Sequence, residues 1–306
     1  MTDTADTAEP GAPAGVVRVT VAQVAVSDDH GANRQTVLDA FKVAARAKSN
    51  LLVLPEYAAA YDPHGVGPEH AEQLDGPFVT LLRARARKHG VAVIAGVTLP
   101  GSDGVRAVNA LVVVDGAGEI AGVYRKVHLY DAFGYQESDL LEPGPADAEP
   151  VTLRLGGLTF GVLTCYDLRF PESARRLVDA GADVLVYPAA WVAGPLKADH
   201  WRTLLQARAI ENTAVTIGVG MTGKGVTGRT LLVGPDGVVG LEMGEEQAYR
   251  TVDLDPAPLA AVRRTNPSLV NRRYTVVPID TVVPTDTVVP TDTVVPTDGQ
   301  TARLAR

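Results

Sequence analysis

The sequence predicts an α/β fold made of two sheets with helices on their outer faces. Three observations carry this expectation. Strand-like and helix-like patterns follow one another in the order β, α, β, α, hairpin, β, α, β, α and further strands, which is the order of a layered α/β fold. Leu51, Leu52, Val53 and Leu54 form an unbroken apolar run, which suits a strand covered on both faces. The helical patterns at 33–48 and 78–89 are apolar on one face only, so each lies on a sheet with its other face in solvent. A chain of 306 residues buries a large core, and α/β folds of this length can form one domain.

Taken in order, residues 1–15 are Ala, Pro, Gly, Thr and acid, and are expected as a disordered leader. A first strand follows from Val17 through Val19 and Val21 to Val26. The helix at 33–48 offers Val37, Leu38, Phe41, Ala44 and Ala45 to the core, and the strand at 51–54 stops at Pro55 and Glu56. The helix at 78–89 packs through Phe78, Leu81, Leu82 and Ala86 and leaves Arg83, Arg85, Arg87 and Lys88 in solvent. Strands are expected at 91–97, 107–114 and 120–127, the last two joined by a turn at 115–118. Residues 128–150 have no period and are expected as a long loop, a class of segment that often carries function.

Leu158, Phe160 and Val162 alternate into Cys165, and a helix follows with Pro171 at its start and Gly181 at its end. A strand at 184–187 completes a β-turn-α-β unit with a thiol on the turn, where backbone N–H groups are expected to lower its pKa. A helix at 199–212 and strands at 213–219, 230–233, 238–241 and 249–254 complete the domain, which is expected to span 16–274. Residues 275–306 hold TVVPID and three copies of TVVPTD. Pro278, Pro284, Pro290 and Pro296 each remove a ladder donor, so a low-complexity tail is expected there rather than a solenoid.

A net charge of −8 gives no basic footprint for nucleic acid or an anionic membrane. No stretch approaches the roughly 18 apolar residues of a spanning helix, and the N-terminus lacks the basic start of a secretory signal. One cysteine excludes an internal disulfide and a multi-cysteine zinc site, and suits a reducing compartment; a cytoplasmic protein is expected.

A lone cysteine is commonly a small core residue. Cys165, however, ends its apolar run and is followed by Tyr166, Asp167 and Arg169, so it is also a candidate nucleophile. The histidines read as surface or structurally satisfied, with no Cys-His signature around any of them. Gly218, Gly220 and Gly223 fit G-x-G-x-x-G, but the residues after them cannot open a helix, so nucleotide binding is not expected. Glu56, Lys126 and Cys165 remain, each at or near a strand end, where sites form in open α/β sheets. Singly, each charge reads as a solvated edge residue.

LPEY around Glu56, YRKVHL around Lys126 and CYDLRFPE around Cys165 resemble the three motifs of the nitrilase or carbon-nitrogen hydrolase superfamily, and HWRTLLQARAIEN resembles the helix that follows them. The resemblance covers about residues 16–274. It implies a four-layer α-β-β-α sandwich and a Glu56, Lys126 and Cys165 triad that needs no metal or organic cofactor. It also implies a second glutamate in the loop after the lysine, for which Glu137 fits best and Glu142 competes. CYDLRFPE is more similar to the branch of ω-amidases and deaminated-glutathione amidases than to nitrile-cleaving members. The expected activity is therefore hydrolysis of a small linear amide, with nitrile hydrolysis or an idle binding protein as alternatives. Tyr57, Tyr166 and Trp191 are expected substrate contacts, and a homodimer or larger assembly is implied by the resemblance alone.

Overall fold

The computed structural model describes residues 15–279, so the leader up to residue 14 and the tail from residue 280 lie outside the described residues. The chain runs β1 (Val17–Gln23), α1 (His30–Arg46), β2 (Leu51–Val53), α2 (Pro77–His89), β3 (Ala92–Pro100), β4 (Ala107–Val114) and β5 (Ile120–Arg125). A short hairpin of β6 (Asp131–Ala132) and β7 (Tyr135–Gln136) follows, then β8 (Thr152–Leu155), β9 (Leu158–Val162), α3 (Pro171–Asp179), β10 (Val184–Ala189) and α4 (Lys197–Asn212). The described elements end with β11 (Val215–Gly220), β12 (Leu231–Val233), β13 (Val239–Glu242), β14 (Ala248–Leu254) and α5 (Pro256–Thr265).

Local chemistry sets the helix ends. The Asp29 carboxylate accepts from the Gly31 and Ala32 amides and caps α1, satisfying donors that have no partner inside the helix. Both α2 and α3 begin on proline, whose missing N–H costs nothing in a first turn. Gly90, at φ 67°, ends α2 in the left-handed region.

The strands form two six-stranded sheets of the same plan. One has the order β14-β1-β2-β3-β4-β5, the other β13-β12-β11-β10-β9-β8. In each, three parallel strands sit beside antiparallel ones: β1, β2 and β3 in the first sheet, β9, β10 and β11 in the second. The parallel strands are connected through helices, as parallel pairing requires. Alternation along the strands then divides the apolar residues among three layers. Val19, Val21, Val53, Ile94, Val162, Val186 and Ile217 fill the space between the sheets. Val37, Phe41, Phe78 and Leu82 pack α1 and α2 on the outer face of the first sheet. Leu177, Trp201 and Leu205 pack α3 and α4 on the outer face of the second. This is the expected α-β-β-α sandwich.

The departures from expectation are local. Residues 128–150 hold the β6–β7 hairpin and a 3-10 turn at Glu137–Asp139, elements too short to leave a period. β8 and α5 were not expected either. β8 has only four residues, and α5 has two prolines in its first three positions. Helix α4 begins two residues before the expected start, at Lys197.

Candidate active site

Each sheet sends strand ends to one cavity of about 530 Å³. Glu56, Lys126, Glu137 and Cys165 all line it, as do Tyr57, Tyr166 and Trp191. Residues far apart in sequence thus share a space large enough for a metabolite-sized ligand.

Glu56 follows β2 and is 1% exposed. Its Oε1 accepts from Lys126 Nζ at 3.1 Å and Asn109 Nδ2 at 2.7 Å, and its Oε2 accepts from the Ala190 amide at 2.7 Å. A carboxylate with donors on both oxygens, one of them from the second sheet, is held in a single orientation. The turn that delivers it bends at Tyr57, which takes φ 54°. Gly96 on β3 makes room for this turn: a Cβ there would meet the Tyr57 nitrogen at 2.3 Å.

Lys126 follows β5, and its ammonium lies 2.9 Å from Glu137 Oε2 as well as bonding to Glu56. Burial opposes its charge, but the facing Glu137 and Glu56 carboxylates outweigh burial and hold its pKa well above the ordinary lysine value. Glu137 accepts in turn from the Tyr57 hydroxyl at 2.6 Å and the Tyr130 amide at 2.6 Å. Glu142, its competitor, lies elsewhere: it accepts from Ser102 and Asp103 and holds that loop.

Cys165 opens a 3-10 helix, Cys165–Arg169, with φ 47°. A non-glycine residue at positive φ is costly, on the order of 1–3 kcal/mol, and persists only where its surroundings enforce it. Here the enforcement is Asp167. Its buried carboxylate accepts from the Thr164 amide, closing a capping box, and from Tyr124 Oη at 2.7 Å and the His128 ring at 2.8 Å. Arg208, from α4, donates to the Leu168 carbonyl at 2.7 Å. The cysteine turn is thereby tied to the segment that carries Lys126.

The expectation of a lowered thiol pKa is corrected. Burial, followed by the Glu56 charge, raises the Cys165 pKa well above the ordinary thiol value, and Lys126 only partly opposes this. The resting group is a thiol that shares the cavity with Glu56. The turn amides are outweighed because a thiolate here would be desolvated beside a carboxylate.

Tyr57, Tyr166 and Trp191, the expected substrate contacts, line the cavity wall, and two of them have their polar ends engaged. Tyr57 bonds Glu137, Tyr166 packs edge-on against Tyr130 at 5.1 Å, and the Trp191 indole N–H donates to the Lys197 carbonyl at 2.8 Å. Asn109, Tyr130 and Lys197 were not expected, and Asp167 was noted only as a neighbour of Cys165. Asn109 had left a signal, as the one polar residue in the β4 run AVNALVVV. Two of the glycines set aside as nucleotide ligands are packing residues: a Cβ at Gly218 would strike Trp201 at 2.4 Å, and one at Gly220 would strike the Gly228 carbonyl. Among the described residues no cluster of histidine, cysteine and carboxylate could hold a metal ion.

The profile of the carbon-nitrogen hydrolase family matches residues 18–264, most of the chain. The chain belongs to this family. This carbon-nitrogen hydrolase is 37% identical over 258 residues to a deaminated glutathione amidase of Escherichia coli O157:H7, covering 84% of this chain and 97% of the relative. It is 33% identical over 253 residues to a deaminated glutathione amidase of Synechocystis, covering 78% and 92%. Among solved structures, a CN-hydrolase superfamily protein from Xanthomonas campestris matches with a TM-score of 0.76 at 26% identity, covering 86% of this chain and 99% of that one. A variant of an amidase from Nesterenkonia sp. AN1, with the acetamide moiety of fluoroacetamide covalently added at its active-site cysteine, matches with a TM-score of 0.70 at 27% identity, covering 84% and 100%. No helix among the described residues is long and apolar enough to cross a membrane.

Proposed function

We propose that this hydrolase cleaves a small linear amide to a carboxylate and ammonia through a thioester on Cys165. The observation that carries the reading is the sharing of one cavity by the Cys165 thiol, the Glu56 carboxylate and the Lys126 ammonium, which lies 3.1 Å from that carboxylate. Because the thiol rests protonated, Glu56 acts as general base at the moment of attack. Sulfur bonds to the amide carbon while its proton passes to Glu56. The oxyanion that forms is met by Lys126 and the backbone N–H of Tyr166. The carbon–nitrogen bond breaks as Glu56 returns the proton to nitrogen, and ammonia leaves. Water then gives a proton to Glu56 and attacks the thioester, and the thiol is restored as the acid departs.

Glu137 keeps Lys126 charged and aimed, so one ammonium serves both the general base and the oxyanion. The names of the relatives support an amide as substrate, and the cysteine adduct in the Nesterenkonia amidase supports a cysteine nucleophile. The same proposal includes a cytoplasmic enzyme, where one free cysteine stays reduced, acting as a homo-oligomer. The test is ammonia release from a panel of linear amides and nitriles by the wild-type chain and by Cys165→Ala. Amides are expected to be turned over, nitriles poorly, and the variant is expected to be inactive with an unchanged circular dichroism spectrum. Activity retained without the sulfur would place the nucleophile elsewhere.

A further inference from the structure

The cysteine turn, Cys165–Arg169, is held at both ends. At its start the Thr164 hydroxyl donates to the Pro188 carbonyl, and the Asp167 carboxylate accepts from the Thr164 amide. Near its end the Leu168 carbonyl accepts from Arg208 Nη2 at 2.7 Å. Carbonyls in the last turn of a helix have no partner inside it, so this bond supplies what the short helix cannot. The other tie to α4, between Arg169 Nη2 and the His200 ring, is 3.4 Å long and correspondingly weaker.

Arg208 is a costly choice for a packing residue. It is only 4% exposed, and its one ion pair among the described residues is with Glu211, whose side chain is 36% exposed. Its Nε has no hydrogen-bond partner among the described residues. Nor has the hydroxyl of Tyr187, a fully buried phenol whose pKa burial raises and the Arg208 charge partly offsets. A cation buried among unsatisfied polar atoms adds little or nothing to stability over an apolar side chain of similar size. What it supplies is geometry. The guanidinium is a rigid fork with one arm on Glu211 Oε1 at 3.0 Å and the other on Leu168, so it fixes the turn against α4. Leu168 lies two residues after Tyr166, whose backbone N–H is the proposed oxyanion donor, and three after Cys165, which is held at φ 47°. A strained turn relaxes when one of its restraints is released. Arg208 itself is not among the residues that line the cavity, so it acts only through the turn.

We propose that Arg208 is a positioning residue for the reaction: through the Leu168 carbonyl it holds the Tyr166 N–H where the oxyanion forms. The inference rests on the amidase reading of the same site, since the aim of that amide matters only if an oxyanion develops. Chemistry at the single cysteine separates this role from a structural one. Amide hydrolysis passes through an oxyanion, whereas iodoacetamide alkylates Cys165 by forming a sulfur–carbon bond and expelling iodide, with no oxyanion on the way. A misaimed Tyr166 N–H therefore slows the first reaction and spares the second.

The experiment measures both reactions for wild type, Arg208→Met and Arg208→Lys, each normalised to the titrated thiol. Arg208→Met is expected to lower kcat about 10²-fold, the scale of one misplaced oxyanion donor, with KM and the alkylation rate both within about twofold of wild type. Arg208→Lys offers one donor group in place of a fork and is expected to recover about tenfold of that loss. Equal falls in hydrolysis and alkylation mark a purely structural arginine and overturn the inference, as does an unchanged kcat in Arg208→Met. Should Arg208→Met not fold, Arg208→Lys decides: a kcat about tenfold below wild type with normal alkylation is expected, and either a wild-type kcat or a matched loss of both reactions overturns the assignment. Wild-type turnover that the variants equal sinks this inference alone, whereas no amide turnover by wild type sinks the amidase reading with it.

Discussion

Glu137 and Glu142 lie five positions apart in one loop, and nothing in their sequence neighbourhoods separates their roles. Their surroundings do. Glu137 is 5% exposed and faces Lys126, while Glu142 holds the amides of an outer loop. Glu137→Gln leaves a hydrogen-bonding shape but removes a charge that keeps Lys126 protonated. It is expected to lower kcat by roughly 10²–10³-fold with little change in KM, the scale of losing one oxyanion donor. Glu142→Gln is expected to leave both constants unchanged. Steady-state kinetics of the two variants checks this, and equal losses would remove Glu137 from its assigned place. Cys165 teaches the same lesson: its position at the end of an apolar run was legible, but the direction of its pKa depends on burial and, after it, on a carboxylate from the other sheet.

At the scale of elements, the site is made by strand ends and the turns that leave them. Glu56 leaves β2, Lys126 leaves β5, Cys165 leaves β9, and the Ala190 amide that holds Glu56 leaves β10. Two of these turns pass through positive φ, at Tyr57 and Cys165, and each depends on a neighbour that permits or enforces it. Gly96 is the permissive neighbour of the first. In Gly96→Ala the new methyl would lie 2.3 Å from the Tyr57 nitrogen and 2.6 Å from the Glu56 Cα, so backbone must move. The expected cost is about 1–3 kcal/mol in stability. A fall in kcat of about 10² should accompany it, because the misplaced group is the proposed general base. Thermal unfolding and kcat measured together check the pair of effects; loss of stability with full activity would show that Glu56 tolerates the shift.

At the scale of the molecule, enclosing a polar site between two sheets buries many protonated groups together. Burial raises the phenol pKa values of Tyr57, Tyr61, Tyr124 and Tyr187, and burial with the Glu56 charge raises that of the Cys165 thiol. Carboxylate neighbours raise that of Lys126 against its burial. All of these shifts have one sign: the folded chain keeps protons that the unfolded chain releases. The stability they contribute is complete below the unfolded thiol pKa of about 8.5, and is lost as the pH rises past it and past the unfolded tyrosine and lysine values near 10. Unfolding free energy from urea titrations is expected to be level between pH 7 and 8 and to fall steeply between pH 9 and 11. A flat profile to pH 11 would contradict the burial of these groups.

The sequence by itself determined the periods, and through them most strands, the helices α1 to α4, the layered class and the three residues Glu56, Lys126 and Cys165, because hydrophobic alternation and strand-end placement are local properties of the chain. It could not reveal the two-residue strands of the hairpin, which are too short to carry a period. Nor could it single out Arg208 or choose between Glu137 and Glu142, or set the direction of the thiol's pKa. Only the tertiary structure decided these, because a group's charge state and partners depend on what other segments place within a few ångströms of it, and those segments come from both sheets.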